Sequence, residues 1–415
     1  MKVHGSNIGY VIFLSIVAAL GGILFGYDTA VISGTTTDVA SQFGLNDISK
    51  GWYVGCALVG SIIGVAVAGM LSDFLGRKRT MLIASVLFSV SAIGCCLCVG
   101  IDDLVIYRII GGLGIGIVSI VSPIYISEIS PAKIRGTMVS LYQLAVTMGL
   151  LLAYLINFII LKNSGTATFS GFFKWIFADE LWRGMLGSET VVTLLFFLVI
   201  FFIPESPRWL IVKGRDEKAM KIFRRLKSEE SGAVEEYSLT KASIAGEVKS
   251  EWSALREKGI VKAVFIGSAI AILGQFMGVN AVLYYGPDIF ADAGLAAEDS
   301  SFSTVLVGLV NMLTTVLAVF IIDKVGRKKL IYFGVSSMIL CLIAIGTIFA
   351  LGKGGILLLV FFLLYIFSQA ISISAVVFVL LSEMYPNRVR GIAMSIAGLA
   401  LWVGTYLIGQ FTPWC

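Results

Sequence analysis

Charge and histidine are both scarce in this 415-residue chain. Only 14% of its residues are charged, where a soluble domain carries roughly 25%, so a water-facing globule is excluded. One histidine, His4, and six cysteines scattered through apolar runs (Cys56, Cys95, Cys96, Cys98, Cys341, Cys415) leave no basis for a metal site or a disulfide framework. No nucleophile–base pair, metal cluster or phosphate loop is apparent, so neither an enzyme nor a bound cofactor is expected. The GGLGIG stretch at 111–116 superficially matches a nucleotide loop but lies inside an apolar run with no preceding strand. Close helix packing through Gly112 and Gly116 is its reading.

What the chain has in abundance is apolar length. Hydrophobic residues make up 58% of it and the mean hydropathy is +0.94, the composition of an all-α, polytopic membrane protein. The formal net charge of +5 is therefore no sign of a nucleic-acid partner. With ~20 apolar residues per span, candidates fall at 8–32, 52–72, 80–100, 103–126, 137–161 and 186–204. Five more follow at 260–286, 302–322, 330–351, 355–381 and 392–412. The first could imitate a signal peptide, but its apolar run continues to Ile32, too far for a cleaved leader.

Basic residues sort the loops. Lys2, Arg77, Lys78, Arg79, Lys133, Arg135, the thirteen Lys and Arg from Arg208 to Lys262, Lys324, Arg327, Lys328, Lys329, Arg388 and Arg390 fall on one side. Only Lys50, Lys162, Lys174, Arg183 and Lys353 fall on the other. The positive-inside bias puts the N-terminus in the cytoplasm. The 205–258 segment, with helix formers such as RDEKAMKIFRRLKSEE, reads as short amphipathic cytoplasmic helices.

An internal repeat joins the two groups of spans. Asp73-Phe-Leu-Gly-Arg77-Lys-Arg79 recurs as Asp323-Lys-Val-Gly-Arg327-Lys-Lys329, and Ser127-Glu128-Ile-Ser-Pro131-Ala-Lys-Ile-Arg135 recurs as Ser382-Glu383-Met-Tyr-Pro386-Asn-Arg-Val-Arg390. Two motifs repeated at nearly one offset indicate two parallel halves related by an axis along the membrane normal. The division expected is 1–204, a linker at 205–258, and 259–415. PESPRW closes the first half at Pro204–Trp209, and its counterpart would fall beyond residue 415. A twelfth span is thus expected to be missing, with Cys415 a truncation point.

Polar residues inside spans carry the chemistry. QFMGVNAVLYYG at 275–286 holds Gln275, Asn280 and Tyr284, with Gly278 able to loosen the winding between the two amides. Polar stripes recur at helical spacing: Ser140, Gln143, Thr147, Tyr154 and Asn157; then Thr304, Gly308, Asn311 and Thr315. Span ten adds Tyr365, Ser368, Gln369 and Ser372, and span eleven Trp402, Thr405, Tyr406 and Gln410. Amides, hydroxyls and aromatics without net charge suit a neutral polyhydroxylated ligand.

Asp28 and Arg108 are intramembrane charges, and Glu189 opens span six. Such a set serves proton coupling or forms a static buried ion pair, and composition does not choose between them. Asp73, Arg77, Glu128 and Arg135, with their repeats Asp323, Arg327, Glu383 and Arg390, sit at helix ends. There, ion pairs could latch the cytoplasmic side shut.

With GYDTAVISG, GMLSDFLGRKR, YRIIGG, PESPRW, QFMGVNAVLYYGP, DKVGRKK and LLSEMYPNRVRG, the chain resembles the sugar porter family of the major facilitator superfamily, especially bacterial xylose–proton symporters. The resemblance runs from Gly21 to about Trp414. It implies two pseudo-symmetric six-helix halves rocking about a midplane sugar site, in a bacterial inner membrane. It further implies Asp28 as the proton-coupling carboxylate, with Arg108 its partner and Glu189 the third member. Gln143, Gln275, Asn280, Tyr284 and Asn311 match the family's sugar-contact positions. Arg135, Glu205, Arg208, Glu383 and Arg390 match its intracellular salt-bridge network.

Departures concern the pocket. Gly274 replaces a usual glutamine, Ile373-Ser374-Ala375 a usual Trp-Gly-Pro, Phe378 the pocket tryptophan, Gln369 an aromatic and Leu401 a glutamine; Gln369, Phe378 and Trp402 join the expected substrate-binding residues. The particular sugar does not follow from the resemblance. The expected partners are a neutral sugar, a proton and the bilayer, with no nucleic acid, and the chain is expected to act as a monomer. A facilitative uniporter and a non-transporting sugar sensor are the alternatives.

Overall fold

A computed structural model describes residues 7–164, 170–245, 257–352, 355–385 and 389–414, without the side chains of 258, 323, 327, 375, 378, 379, 382, 383, 390 and 391. Among the described residues eleven helices are long and apolar enough to cross a membrane, matching the eleven runs read from hydropathy. Helices are what such runs must form. In hydrocarbon every backbone N–H and C=O has to be satisfied within its own segment.

In chain order the helices are α1 Ile8–Val31, α2 Thr36–Phe43, α3 Asp47–Leu75, α4 Arg77–Leu97, α5 Ile101–Ile129, α6 Arg135–Asn163, the single turn α7 Phe172–Lys174, and α8 Leu181–Val199. Three short helices follow, α9 Pro207–Val212, α10 Asp216–Leu226 and α11 Glu230–Ala245. Then come α12 Lys258–Phe276, α13 Val279–Asp292, α14 Ala297–Val325, α15 Arg327–Ala350, α16 Ile356–Gln369, α17 Ala375–Met384 and α18 Arg390–Phe411. The described part of 205–258 thus forms three short helices separated by brief non-helical stretches. On α10, Ala219, Ile222, Phe223 and Leu226 form its buried face, at the i, i+3, i+4, i+7 spacing of an amphipathic helix.

The repeat is visible in the backbone. Gly76 ends α3 and begins α4 at φ 97°, ψ 164°. Gly326 ends α14 and begins α15 at φ 90°, ψ 147°. Each is a one-residue turn at a positive φ that a side chain disfavours.

Within the first six spans α1 packs on α6, α3 on α5, and α4 on α5 and α8. The 111–116 glycines work as packing surfaces, as read from the sequence. A Cβ on Gly112 would collide with the Ala57 carbonyl oxygen and one on Gly116 with that of Ser61, while Gly60 and Gly64 face the carbonyls of Ile109 and Leu113. Contacts of α14 with α6 and of α18 with α3 tie the first six spans to the last five.

Candidate functional site

The seventh span is broken. α12 ends at Phe276, Gly278 takes φ 91° in the left-handed region, and α13 begins at Val279. Such a break frees carbonyls that need donors, and the Tyr365 hydroxyl donates to the Met277 oxygen at 2.6 Å. Gln275 and Asn280 flank the break, and Asn280 Nδ2 donates to Gln275 Oε1 at 2.6 Å. Span ten carries a second irregularity, a π-helical turn from Ala370 to Ser374 directly after Gln369. Wide turns of this kind re-aim the side chains beside them.

These irregularities face a cavity of about 980 Å³. Gln143, Gln275, Asn280, Tyr284, Asn311, Gln369 and Trp402 all line it; Phe378, the remaining candidate, lies outside the described side chains. Phe25, Thr29 and Tyr142, which no polar stripe includes, also line it, as do Ile373 and Ser374. Phe25 packs on Trp402 with ring centroids 5.7 Å apart, making an aromatic wall from both groups of spans. Among the described residues the one charged side chain in the lining is Asp73, 77% exposed at the mouth.

The polar stripes divide between cavity and packing. Thr147 and Thr405 line the cavity. Tyr154 instead donates to the Leu283 carbonyl at 2.8 Å, Asn157 to Val31 at 3.0 Å, and Gln410 to Ile48 at 3.0 Å. Ser368 pairs with Ser337 at 2.7 Å.

Asp28, Arg108 and Glu189 are brought together but kept off the cavity wall. Arg108 Nη1 donates to Asp28 Oδ1 at 2.7 Å, and the two side chains are 3% and 2% exposed. Glu189, 2% exposed, has Asp28 and Arg108 as its charged neighbours. Arg108 Nε is buried without a hydrogen-bond partner among the described residues, and the Asp28 and Glu189 carboxyls lie within hydrogen-bonding reach of each other. Helix α1 connects this cluster to the cavity, because Asp28 faces α5 while Phe25, Gly26 and Thr29 line the cavity.

The two ends of the bundle differ. At the Lys50 end the groups of spans are fastened together. Lys50 Nζ meets Asp288 Oδ2 at 2.6 Å, and the Thr36 and Thr37 hydroxyls donate to the same carboxylate at 3.1 and 2.6 Å. Gly51 abuts the Gln410 carbonyl, a contact that a Cβ would prevent. Burial and then the Asp288 carboxylate raise the pKa of nearby Asp38. At the other end the cavity opens beside Asp73.

Several of the expected latch residues bond within the first six spans. Arg77 makes a two-pronged pair with Glu128, Nε to Oε2 and Nη2 to Oε1, both at 3.0 Å, and adds Asp73 at 3.1 Å. Glu205 Oε1 accepts the backbone N–H groups of Arg77, Lys78 and Ser206 at 2.8, 3.1 and 2.8 Å, capping α4. Burial nonetheless raises the Glu205 pKa, against the lowering by these N–H groups and Arg77. The exposed Arg135 donates to the Ser130 carbonyl at 3.5 Å, and Arg208 sits at the start of α9. The side chains of Asp323, Arg327, Glu383 and Arg390 lie outside the described set.

Known proteins share this architecture. The family model described as "Sugar (and other) transporter" matches residues 14–415. The chain is 39% identical over 408 residues to the arabinose–proton symporter of Bacillus subtilis, covering 98% of this chain and 86% of that protein. It is 37% identical over 422 residues to a glucose transport protein of Synechocystis, covering 98% and 89%. The inward-open structure of the Escherichia coli xylose transporter superimposes with a TM-score of 0.84 at 36% identity, covering 97% of this chain and 90% of that one.

Proposed function

This chain belongs to the sugar transporter family, and from that premise we propose that it imports a neutral pentose or hexose together with a proton by alternating access. It is a multi-pass membrane transporter and not an enzyme. One observation carries the finer reading. A cavity of amides, hydroxyls and aromatic rings, with Asp73 at its mouth as the one charged side chain among the described lining residues, lies on one side of α1, and a sealed carboxylate–guanidinium cluster lies on the other.

Sugar hydroxyls need donors and acceptors in fixed directions, while an apolar ring face needs an aromatic partner. Gln275, Asn280, Asn311, Gln143 and Gln369 supply the first, and Trp402 and Phe25 the second. Tyr284 carries a ring and a hydroxyl together. The cluster supplies the coupling. Two carboxyls and one guanidinium are electroneutral with one proton bound, and net charge buried in a bilayer is costly. Loading or releasing that proton changes what Arg108 must pair with, and so shifts α1, whose other face touches the sugar.

The positive-inside bias supports an N-terminus and an α9–α11 linker in the cytoplasm, in a bacterial inner membrane. The mouth beside Asp73 then opens inward, and the Lys50–Asp288 latch closes the outside. The same reading takes 1–204 and 259–415 as the moving halves, 205–258 as their link, and the monomer as the working unit.

The rival is a facilitative carrier in which Asp28–Arg108 is a fixed structural pair. It draws on the absence of all three cluster residues from the cavity lining. Reconstituted proteoliposomes decide. Under an inward proton gradient, labelled D-xylose, L-arabinose or D-glucose should accumulate above its outside concentration. Equilibration that never exceeds the outside level would leave the facilitative carrier standing.

A further inference from the structure

Gln275 and Asn280 present amides to the cavity, and an amide can face it two ways. Turning a carboxamide over costs almost nothing in shape but exchanges a donor for an acceptor. What holds this pair one way round is therefore a determinant of which hydroxyls the pocket accepts.

The holding group stands on another helix. Gln275 Oε1 receives Asn280 Nδ2 at 2.6 Å and lies 3.1 Å from the Thr405 hydroxyl on α18. Thr405 is 6% exposed. α18 reaches Gln275 because residue 404 is glycine. A Cβ there would lie 3.2 Å from Gln275 Cβ and 3.3 Å from Cγ, tighter than ordinary contact.

We propose that Thr405 is a positioning residue whose single hydroxyl proton fixes the Gln275–Asn280 pair, so that Gln275 shows its NH2 and Asn280 its carbonyl oxygen to the sugar. The proposal rests on the sugar-carrier reading and specifies how that same pocket tells one hydroxyl pattern from another. The hydroxyl has two acceptors in reach, Gln275 Oε1 at 3.1 Å and the Leu401 carbonyl at 3.0 Å. The Leu401 carbonyl lies inside α18, where the backbone N–H four residues on is its regular partner. Gln275 Oε1 stands beside a helix break and draws its donors from side chains alone. With the proton on Gln275, both lone pairs of Oε1 are filled, and Nε2 and Asn280 Oδ1 are left for the cavity. With the proton on Leu401, the Thr405 oxygen would face Gln275 with lone pairs only, and the pair would invert.

The consequence is an asymmetric requirement. The sugar hydroxyl that meets Gln275 acts as an acceptor, and the one that meets Asn280 acts as a donor. Fluorine in place of a hydroxyl can still accept but cannot donate, while hydrogen can do neither.

The test uses the full chain in proteoliposomes, with whichever labelled probe it binds among D-xylose, L-arabinose and D-glucose. Binding of none defeats the sugar-carrier reading before Thr405 is at issue. Monofluoro and monodeoxy analogues of the probe then compete, one position at a time. In the native chain, at one position the deoxy analogue should compete about tenfold worse than the fluoro analogue. At another, both analogues should be weakened alike. In Thr405→Val, or the smaller Thr405→Ala, the fluoro–deoxy gap should shrink to under about twofold, and Thr405→Ser should restore it. The proposal is overturned if both apolar variants keep the gap while weakening every sugar equally, or if the serine variant behaves like valine.

Discussion

The first six spans and the last five handle their polar cargo in opposite ways. In the first group the helices are long and continuous, 29 residues each for α3, α5 and α6. Glycines press helix backbones together there, and the ionisable cluster is shut away from the cavity. In the second group the seventh span is cut at Gly278 and the tenth carries a π-turn, and those irregularities turn Gln275, Asn280 and Gln369 toward open space. A charge that must not leak is held by rigid packing. A ligand that must come and go is met by jointed helices whose freed backbone groups are satisfied by side chains such as Tyr365.

This contrast can be broken at its strongest point first. Asp28→Asn should abolish gradient-driven sugar accumulation while leaving sugar exchange across the membrane, measured as counterflow in proteoliposomes. Accumulation that survives would return Asp28–Arg108 to a structural role. Next is the joint. Gly278→Ala forces a Cβ into a left-handed backbone at about 1–2 kcal/mol, so sugar affinity should fall about tenfold in a direct binding assay. Unchanged affinity would mean that the break does not set the amides.

The packing difference gives a paired test. Gly112→Ala should lower the melting temperature in detergent, overpacking typically costing about 1–3 kcal/mol. Gly346→Ala, on α15 with no atom within 4 Å of the added Cβ, should leave it level or raise it slightly through helix propensity. Equal losses at both would erase the distinction between the groups. The smallest effect is expected at the outer latch. Lys50→Met removes a half-buried ion pair worth about 1 kcal/mol, and should shift the carrier toward facing outward. Labelling of a cysteine placed on the outer cavity wall should rise by a few fold.

Much of this is legible in the sequence. Span number follows from apolar length, and the seventh-span break follows from a glycine set between two amides. The glycine turns at 76 and 326 announce themselves by repetition. What was not legible depends on which neighbour a helix face meets. Tyr154 and Asn157 share the stripe of Gln143, and Tyr365 sits in a like one, yet all three bond to carbonyls on neighbouring elements and do not line the cavity. The Lys50–Asp288 latch joins residues far apart in the chain, which no periodicity relates. The latch expected at Arg77 and Glu128 bonds within one group of spans, because their helices are neighbours there. The π-turn at 370–374 left no mark in the composition of AISIS.

The single-residue turns at Gly76 and Gly326 have a mechanical corollary. A hinge of several residues would swallow a small displacement as play. Here a single glycine joins two membrane-crossing rods, so a shift given to the end of α3 carries the start of α4 with it, and one given to the end of α14 carries the start of α15.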